Sequence, residues 1–298
     1  MFVDVSFITV NYNTCALVKD LIEFFSKVDL PFSHCLVVVD NASTDGSREM
    51  LEDIADDRVV YLQTDENLGY GRGMNRGLAA VESRYSCIMN TDLILNREAL
   101  LELWQFFQNM PEAGVASPVI LGANGRQQGF VFSPGLLPHY FHWLAKFLAK
   151  RWKLRVSRAV SPLPVPGVMG AFFMIRRSAF PTRLFDEDFF FYYEDSELAH
   201  WYWQQKIPCH VLPNVSIIHL GGQSTSASGA KLFIESRNLY LEKCYGKKHA
   251  WLIGLLDLLR IRSKVYKYRL LSLISSSASI RAKYDYYASQ LGVMQDAR

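Results

Sequence analysis

The sequence predicts an α/β fold: a mostly parallel, mixed sheet flanked by helices on both faces, followed by a helical C-terminal extension. Three observations carry this expectation. Over residues 5–110, β-branched apolar runs alternate with amphipathic segments, the spacing of βαβ units. Asn11, Asp40 and Asp92 stand at or just past the ends of the apolar runs, where open α/β sheets bind their ligands. From about Lys231 the pattern is mainly helical to the end.

The elements follow in order. VSFITV (5–10) is β-branched and apolar, hence a buried strand. ALVKDLIEFFSKV (16–28) has apolar residues at helical spacing, and CLVVVD (35–40) is a second strand ending in Asp40. STDGSREMLEDIA (43–55) opens on capping residues and predicts a helix. VVYLQ (59–63) is a third strand, GYGRGMNRGLAAV (69–81) starts glycine-rich and becomes helical, and YSCIMN (85–90) is a fourth strand. REALLELWQFFQNM (97–110) is a helix closed before Pro111. Beyond Pro118 the pattern loosens. AFFMIRR (171–177), CHVLP (209–213) and SIIHL (216–220) read as strands, and DSELAHWYWQQ (195–205) as a helix. GGQSTSASGA (221–230) is Gly/Ser-rich and turn-prone, a linker. Two domains are expected, residues 1–225 around the sheet and residues 226–298 as the helical extension.

Composition bounds the function. With 298 residues, 50% hydrophobic and 20% charged, the chain can bury a sizeable core and suits a globular enzyme. A net charge of +3 is too mild to imply a nucleic-acid partner. Cys15, Cys35, Cys87, Cys209 and Cys244 are scattered and form no CxxC pair, which argues against a disulfide framework or zinc knuckle and fits reduced cytoplasmic thiols better. MFVDVSFITV lacks the basic region and cleavage site of a signal peptide. No run approaches the roughly 18 apolar residues that span a bilayer.

Several constellations carry chemistry. Asn90-Thr91-Asp92 ends the fourth strand. Two carboxylates spaced by one residue at such a place hold a divalent cation against a diphosphate, and here the first is an amide. In VDNASTDGS (39–47), Asp40 either accepts hydrogen bonds from a nucleobase or ribose, or closes an Asx turn with Asn41, Ser43 and Asp45. ENLGYGRGMNRG (66–77) brings backbone N–H groups toward phosphate or sugar oxygens, or is a tight packing turn. Asn67 and Asn75 are harder to explain by packing. Glu194 and Asp195 follow an aromatic run. They are candidates for a general base, or acids favouring a helix N-terminus. His219 closes a strand before two glycines and matters chemically only if it faces Asp92.

Taken together and in order, ITVNYN, VDNASTDGS, ENLGYGRGMNRGL, IMNTDLIL, VPGVMGAFFMIRR, FFFYYEDSELAHW and SIIHLGG resemble a family 2 glycosyltransferase of the GT-A fold, over roughly residues 3 to 225. Within that family the chain is most similar to bacterial rhamnosyltransferase-like members. The resemblance implies a Rossmann-like sheet in which Thr9, Asn11 and Asp40 line a nucleoside pocket. Asn67, Gly69 and Asn75 would shape the diphosphate and sugar side, and Asp92 would bind Mg2+ or Mn2+, with His219 completing the metal shell. Asn90 would reach the ribose or a metal-bound water through its amide. One carboxylate plus substrate phosphates is a normal Mg2+ site. Gly167, Gly170 and Ala171 would border the acceptor. Asp195 would be the catalytic base, and Glu194 would tune it or hold its loop.

The implied reaction is an inverting transfer from a nucleoside-diphosphate sugar, dTDP- or UDP-linked and rhamnose among the candidates. Its acceptor would be a glycan or a polyprenyl-diphosphate-linked glycan, in cell-surface polysaccharide synthesis. A sugar-nucleotide pyrophosphorylase would need a glycine-rich basic loop after the first strand, which VNYNTCALV lacks. A non-catalytic nucleotide-sugar-binding protein has Asn90 as its one support, with Asp195 and His219 against it. Finally, HYFHWLAKFLAKRWKLRVSR (139–158) and WLIGLLDLLRIRSKVYKYRLL (251–271) are basic and apolar. They have the composition of interfacial helices on the anionic cytoplasmic face of a membrane, or of helices packed on the catalytic domain or in a homodimer.

Overall fold

The structure, a computed structural model, describes residues 2–54, 56–128, 135–180, 184–221, 227–275 and 277–296. The chain divides into two compact units. The first comprises residues 1–135, 143–190 and 194–221, and the second residues 136–142, 191–193 and 222–298. The expected boundary between 225 and 226 lies outside the described residues.

The first unit is built on β1 (Phe2–Asn11), α1 (Cys15–Lys27), β2 (His34–Asp40), α2 (Ser47–Glu52), β3 (Val59–Gln63), α3 (Tyr70–Ala80), β4 (Glu82–Met89), β5 (Leu93–Ile94), α4 (Arg97–Asn109) and β6 (Val115–Gly122). A four-residue helix, α5 (Leu137–Tyr140), belongs to the second unit. The first unit then continues through α6 (His142–Arg158), β7 (Leu163–Pro164), β8 (Phe172–Arg176), α7 (Glu194–Gln204) and β9 (Cys209–His219). One sheet runs β3-β2-β1-β4-β8-β6-β9-β5, with β7 paired to β9. Its first half is parallel: β1 lies between β2 and β4, and β2 pairs with β3. β8 then enters antiparallel between β4 and β6. This is the mixed α/β architecture expected from the alternating pattern.

Val5, Phe7 and Ile8 of β1 are buried on both faces, which is why the strand reads as a continuous apolar run. On one face, Phe7, Leu36, Val38, Cys87 and Met89 pack with Val18, Leu21 and Phe25 of α1 and Leu100, Leu103 and Phe107 of α4. Burying each such large side chain contributes about 1.5–3 kcal/mol. On the other face α3 lies against β1 through glycines. A Cβ at Gly73 would stand 2.8 Å from Val10 Cγ2, and one at Gly77 2.5 Å from Ile8 Cγ2.

Four local expectations change. The helix expected over 43–55 shrinks to α2, because Gly46 precedes it at φ +84° and residues 43–45 are tied into a turn. β6 is a full strand despite Pro118, which sits at a register shift against β9, a position that tolerates the missing N–H. The runs 209–213 and 216–220 are one strand, β9. The helix expected over 139–158 breaks at Phe141, which is extended at φ −113° and ψ 92°. All five cysteines are free thiols.

The second unit contains α5, residues 191–193, α8 (Ala227–Tyr245), α9 (Lys247–Ile274) and α10 (Ala278–Asp296). Helix thus begins at Ala227, earlier than Lys231. Tyr240, Leu241, Ile253 and Leu258 are buried. Tyr193 lies 5.4 Å, ring to ring, from Tyr240. Asp257 is paired with Arg237 at 2.6 Å and Arg260 at 2.9 Å, the compensation a buried carboxylate requires. Among the described residues no helix is long and apolar enough to cross a membrane.

Candidate active site

The carboxyl ends of β1 and β2 meet in a closed polar network. Asn11 and Asp40 register opposite each other, and both are fully buried. Asn11 Nδ2 donates to Asp40 Oδ1 at 2.6 Å and to Ser43 Oγ at 3.1 Å, while its Oδ1 accepts from the Thr14 hydroxyl at 2.6 Å. Asp40 Oδ2 accepts from the Ser43 N–H at 3.0 Å, the Asx turn. Asp45 continues the pattern by accepting from the Cys15 N–H at 2.9 Å. Asn13 and Ala42 take left-handed φ of 56° and 58° to turn the two loops. Thr9, lower on β1, is buried with its hydroxyl unpartnered among the described residues.

The glycine-rich loop is tied to the same strand ends. Asn41 Nδ2 donates to the Gly69 carbonyl at 2.9 Å, and Asn67 Oδ1 accepts from the Gly69 N–H at 2.9 Å. Gly69 itself has φ +81°, and a Cβ there would lie 2.2 Å from the Phe190 carbonyl oxygen, so only glycine fits. Asn75 faces elsewhere. Its amide donates to the Phe185 carbonyl and accepts from the Phe185 N–H, both at 2.9 Å, and also reaches Glu187. Asn75 thus has a structural explanation that its sequence context did not suggest.

The clip after β4 faces the end of β9. Asp92 Oδ1 lies 3.2 Å from His219 Nε2, Asp92 Oδ2 accepts from the Gly221 N–H at 2.9 Å, and Asn90 Nδ2 is 3.4 Å from His219 Nε2. Burial alone would raise the Asp92 pKa, but the His219 side chain and the Gly221 N–H outweigh it and hold the carboxyl below its ordinary value. On the far side of the ring, Gln128 Oε1 is 2.7 Å from His219 Nδ1. At this separation an Nε2–H hydrogen bond to the carboxylate satisfies both groups, and the same two atoms can instead flank a cation. Two neighbouring ligands of an octahedral ion with bonds of about 2.1 Å stand about 3.0 Å apart, so the pair fits a divalent metal. Among the described residues no group of three or more His, Cys, Asp and Glu forms a metal cage. The rest of any coordination sphere would come from substrate oxygens and water.

The candidate base is connected to this clip through Gly170 and Ala171, just before β8. The Asn90 N–H donates to the Ala171 carbonyl at 2.9 Å, and the Gly170 N–H donates to Asp195 Oδ2 at 3.0 Å. A Cβ at Gly170 would stand 2.8 Å from Asp195 Cβ, so the seat of the carboxylate requires glycine. Gly167 is buried just before Val168, whose N–H donates to the Tyr202 hydroxyl at 3.1 Å. Glu194, at the start of α7, is buried, and Oε2 has no hydrogen-bond partner among the described residues. Burial first, then the neighbouring charge of Asp195, pushes its pKa up to about 8. Glu194 therefore holds its proton more tightly than an ordinary carboxyl does. Tyr192 and Tyr193, immediately before α7, both have left-handed φ, 69° and 67°; such residues cost roughly 1–3 kcal/mol each.

Asp92, Asn90, His219, Gly170, Ala171 and Asp195 are thus brought together. Asn11, Asp40, Asn67 and Gly69 form a second, linked group, and Asn75 stands apart. Tyr70 was missed by the motif reading. Its hydroxyl donates to the Gly170 carbonyl at 3.2 Å. Burial, then the charges of Glu194, Asp195 and Asp92, keeps it far above the ordinary tyrosine range. Its place in the glycine-rich run was the available signal. Gln128 was also missed, because nothing in its local sequence marks it.

Comparison with known proteins gives a consistent picture. The profile of glycosyl transferase family 2 matches residues 6–184. The low-salt glycan biosynthesis hexosyltransferase Agl10 of Haloferax volcanii is 29% identical over 261 residues, 81% of this chain and 76% of its own. Among solved structures, the mannosyltransferase PcManGT from Pyrobaculum calidifontis, in complex with GDP-Man and Mn2+, aligns with a TM-score of 0.57 at 15% identity, covering 100% of this chain and 87% of that one. TarS of S. aureus in complex with UDP aligns with a TM-score of 0.55 at 16% identity, covering 98% and 90%. At such identities the structural likeness is one of fold.

Proposed function

The chain belongs to glycosyl transferase family 2, and from that premise we propose that it is a metal-dependent, inverting enzyme using a nucleoside-diphosphate sugar. The observation that carries the reading is the pairing of Asp92 with His219, joined through Ala171 and Gly170 to Asp195, which stands beside a buried Glu194 whose pKa is raised to about 8. A buried acid pushed out of its ordinary range beside a second carboxylate is an arrangement that catalytic sites use.

Asp195 takes the proton from an acceptor hydroxyl as that oxygen attacks the anomeric carbon, and the nucleoside diphosphate departs from the opposite face. The Gly170 N–H orients Asp195, and the acceptor lies along Gly167–Ala171. Asp92 and His219 Nε2 would hold Mg2+ or Mn2+, which would supply charge neutralisation for the leaving diphosphate. Asn90 supplies an amide toward the ribose or a metal-bound water. Thr9, Asn11 and Asp40 form the floor of the nucleoside pocket, and the tied loop of Asn67 and Gly69, with Asn75 fixing residues 185–187 behind it, shapes the sugar side. Agl10 is named a hexosyltransferase and PcManGT was solved with GDP-Man, which supports a hexose donor; rhamnose on dTDP rests on the motifs of the sequence. A calorimetric panel of dTDP-rhamnose, UDP-sugars and GDP-mannose with Mg2+ or Mn2+ tests the donor. Failure of every nucleotide sugar to bind or transfer would refute the function.

We place residues 1–225 as the catalytic domain and 226–298 as its extension, working in the cytoplasm on a glycan or polyprenyl-diphosphate-linked acceptor at the membrane surface. The support is chemical. On α6, Trp143 and Phe147 are 68% and 56% exposed beside Lys146, Lys150 and Arg151. On α9, Leu252, Leu256, Leu259, Tyr266, Leu270 and Leu273 are exposed at alternating helical spacing. Arg260, Arg262, Lys267 and Arg269 flank that stripe. Pairing two copies along it would set cations against cations, whereas anionic lipid complements them. Wild type should co-sediment with anionic liposomes at low salt, and a variant with Lys146, Lys150, Arg151 and Lys153 changed to Glu should not. Equal pelleting of the two would assign these helices to protein packing.

A further inference from the structure

Gln128 lies outside every motif that marks the site, on the return of a hairpin from β6. The Gly122 N–H donates to the Arg126 carbonyl at 2.9 Å, the Gln128 N–H to the Ile120 carbonyl at 2.8 Å, and Leu121 bridges to Gln127. Gly122 registers beside His219 on β9. The Gln128 amide lies over this glycine: a Cβ at Gly122 would be 3.3 Å from Gln128 Nε2. Both hydrogen bonds of the amide go to one residue. Nε2 donates to the His219 carbonyl oxygen at 2.9 Å, and Oε1 stands 2.7 Å from His219 Nδ1.

These two contacts remove an ambiguity. A carbonyl oxygen can only accept, so the NH2 end of the amide must face it. The oxygen end is then left facing Nδ1, and an amide oxygen can only accept. Nδ1 must therefore carry a hydrogen. With its one hydrogen on Nδ1 the neutral ring has Nε2 bare, facing Asp92 Oδ1 at 3.2 Å and the Asn90 amide at 3.4 Å, and a cation at Nε2 replaces the proton that joins it to Asp92 in the doubly protonated ring. We propose that Gln128 is a positioning residue that locks His219 in the Nδ1–H tautomer and presents its Nε2 lone pair, beside Asp92, as a metal ligand. The proposal rests on the reading of Asp92 and His219 as a metal-holding pair, and it adds the residue that makes the histidine competent. A ring free to rotate or to carry its proton on Nε2 would turn a donor hydrogen toward the cation. Partners of this kind typically change metal affinity by 10–100-fold.

Two readouts test it without relying on turnover. The chain has seven histidines, and His219 is assigned in a long-range 1H–15N spectrum by its loss in His219→Ala. At about pH 8.5, where imidazole is ordinarily neutral, wild type should show the Nδ1–H form, Gln128→Ala should lose that bias, and Gln128→Glu, which keeps an acceptor, should retain it. Calorimetric titration of Mn2+ in the presence of UDP should show affinity weakened about 10–100-fold in Gln128→Ala and largely restored in Gln128→Glu. Wild-type His219 protonated on Nε2, or Gln128→Ala with an unchanged tautomer, would overturn the proposal, even if that variant were less stable. So would a Gln128→Ala that takes up Mn2+ as wild type does. If wild type binds no Mn2+ while Gln128 still fixes the tautomer, the metal reading falls and the positioning role toward His219 stands.

Discussion

Asp92 and Glu194 are both acids shielded from water, yet they are held on opposite sides of the ordinary carboxylate range. Asp92, 13% exposed at its side chain, meets His219 and the Gly221 N–H and stays ionised. Glu194, 8% exposed, has one oxygen with no partner among the described residues and a charged neighbour, and its pKa rises to about 8. Burial acts on both in the same direction, so the difference is made by partners. In the proposed mechanism the first environment would serve the cation, and the second sets a tightly held proton beside the proposed base, Asp195.

The largest effect is expected at the base. Asp195→Asn should lower kcat by about 10²–10⁴ while donor affinity, read by calorimetry, stays near wild type; a variant keeping more than about a tenth of the rate would shift suspicion to Glu194. At the other end the split should reverse. Asp92→Ala should abolish metal-dependent donor binding, seen by titrating donor with and without EDTA, and His219→Ala should weaken it more modestly. Unchanged metal dependence in Asp92→Ala would remove the cation from that end altogether.

A smaller effect is expected from Gly170→Ala. The new methyl must displace Asp195, whose Cβ would lie 2.8 Å away, and misplacement on this scale should cost about 10–100-fold in kcat with donor affinity unaltered. The last effect is on stability and leaves the rate aside. Because the folded-state pKa of Glu194 is raised, the folded protein holds that proton more tightly than the unfolded chain. The resulting stability is complete below about 4.5 and is lost as pH rises through about 8. Thermal unfolding of wild type should therefore weaken between pH 5 and 9 relative to Glu194→Gln, by on the order of a few kcal/mol at 1.36 kcal/mol per pKa unit. Parallel curves would mean that Glu194 is ionised in the folded state.

The parallel half of the sheet and the strand-end polar residues were legible because period and chemistry coincide there: the first, second and fourth apolar runs end in Asn11, Asp40 and the Asn90–Asp92 clip. β6 was not, since Pro118 interrupts it and only the register shift against β9 excuses the proline. The pairing of His219 with Asp92 could be stated only as a condition, because their strand pairing, Leu93 with His219, is a long-range fact. Gln128 was invisible for the same reason. Its significance comes from a hairpin laid beside β9, and a lone glutamine carries no local signal. Asn75 misled in the opposite sense: an amide in a glycine-rich run looked ligand-facing, but a backbone segment more than 100 residues away claims it.

The glycines that let α3 settle on β1 have a consequence for how the site can vary. At Gly73 and Gly77 the gap between helix and strand is smaller than one methyl group, so these two positions act as a gauge block fixing the height of α3 above the sheet. The loop at the head of that helix is pinned at Gly69 to Asn41 and to Phe190. Raising the helix by a single carbon would tilt the loop's rim away from the strand ends. The position of that rim is therefore calibrated from beneath, by the packing of helix on strand, and a substitution at either glycine would shift the loop without altering any residue on it.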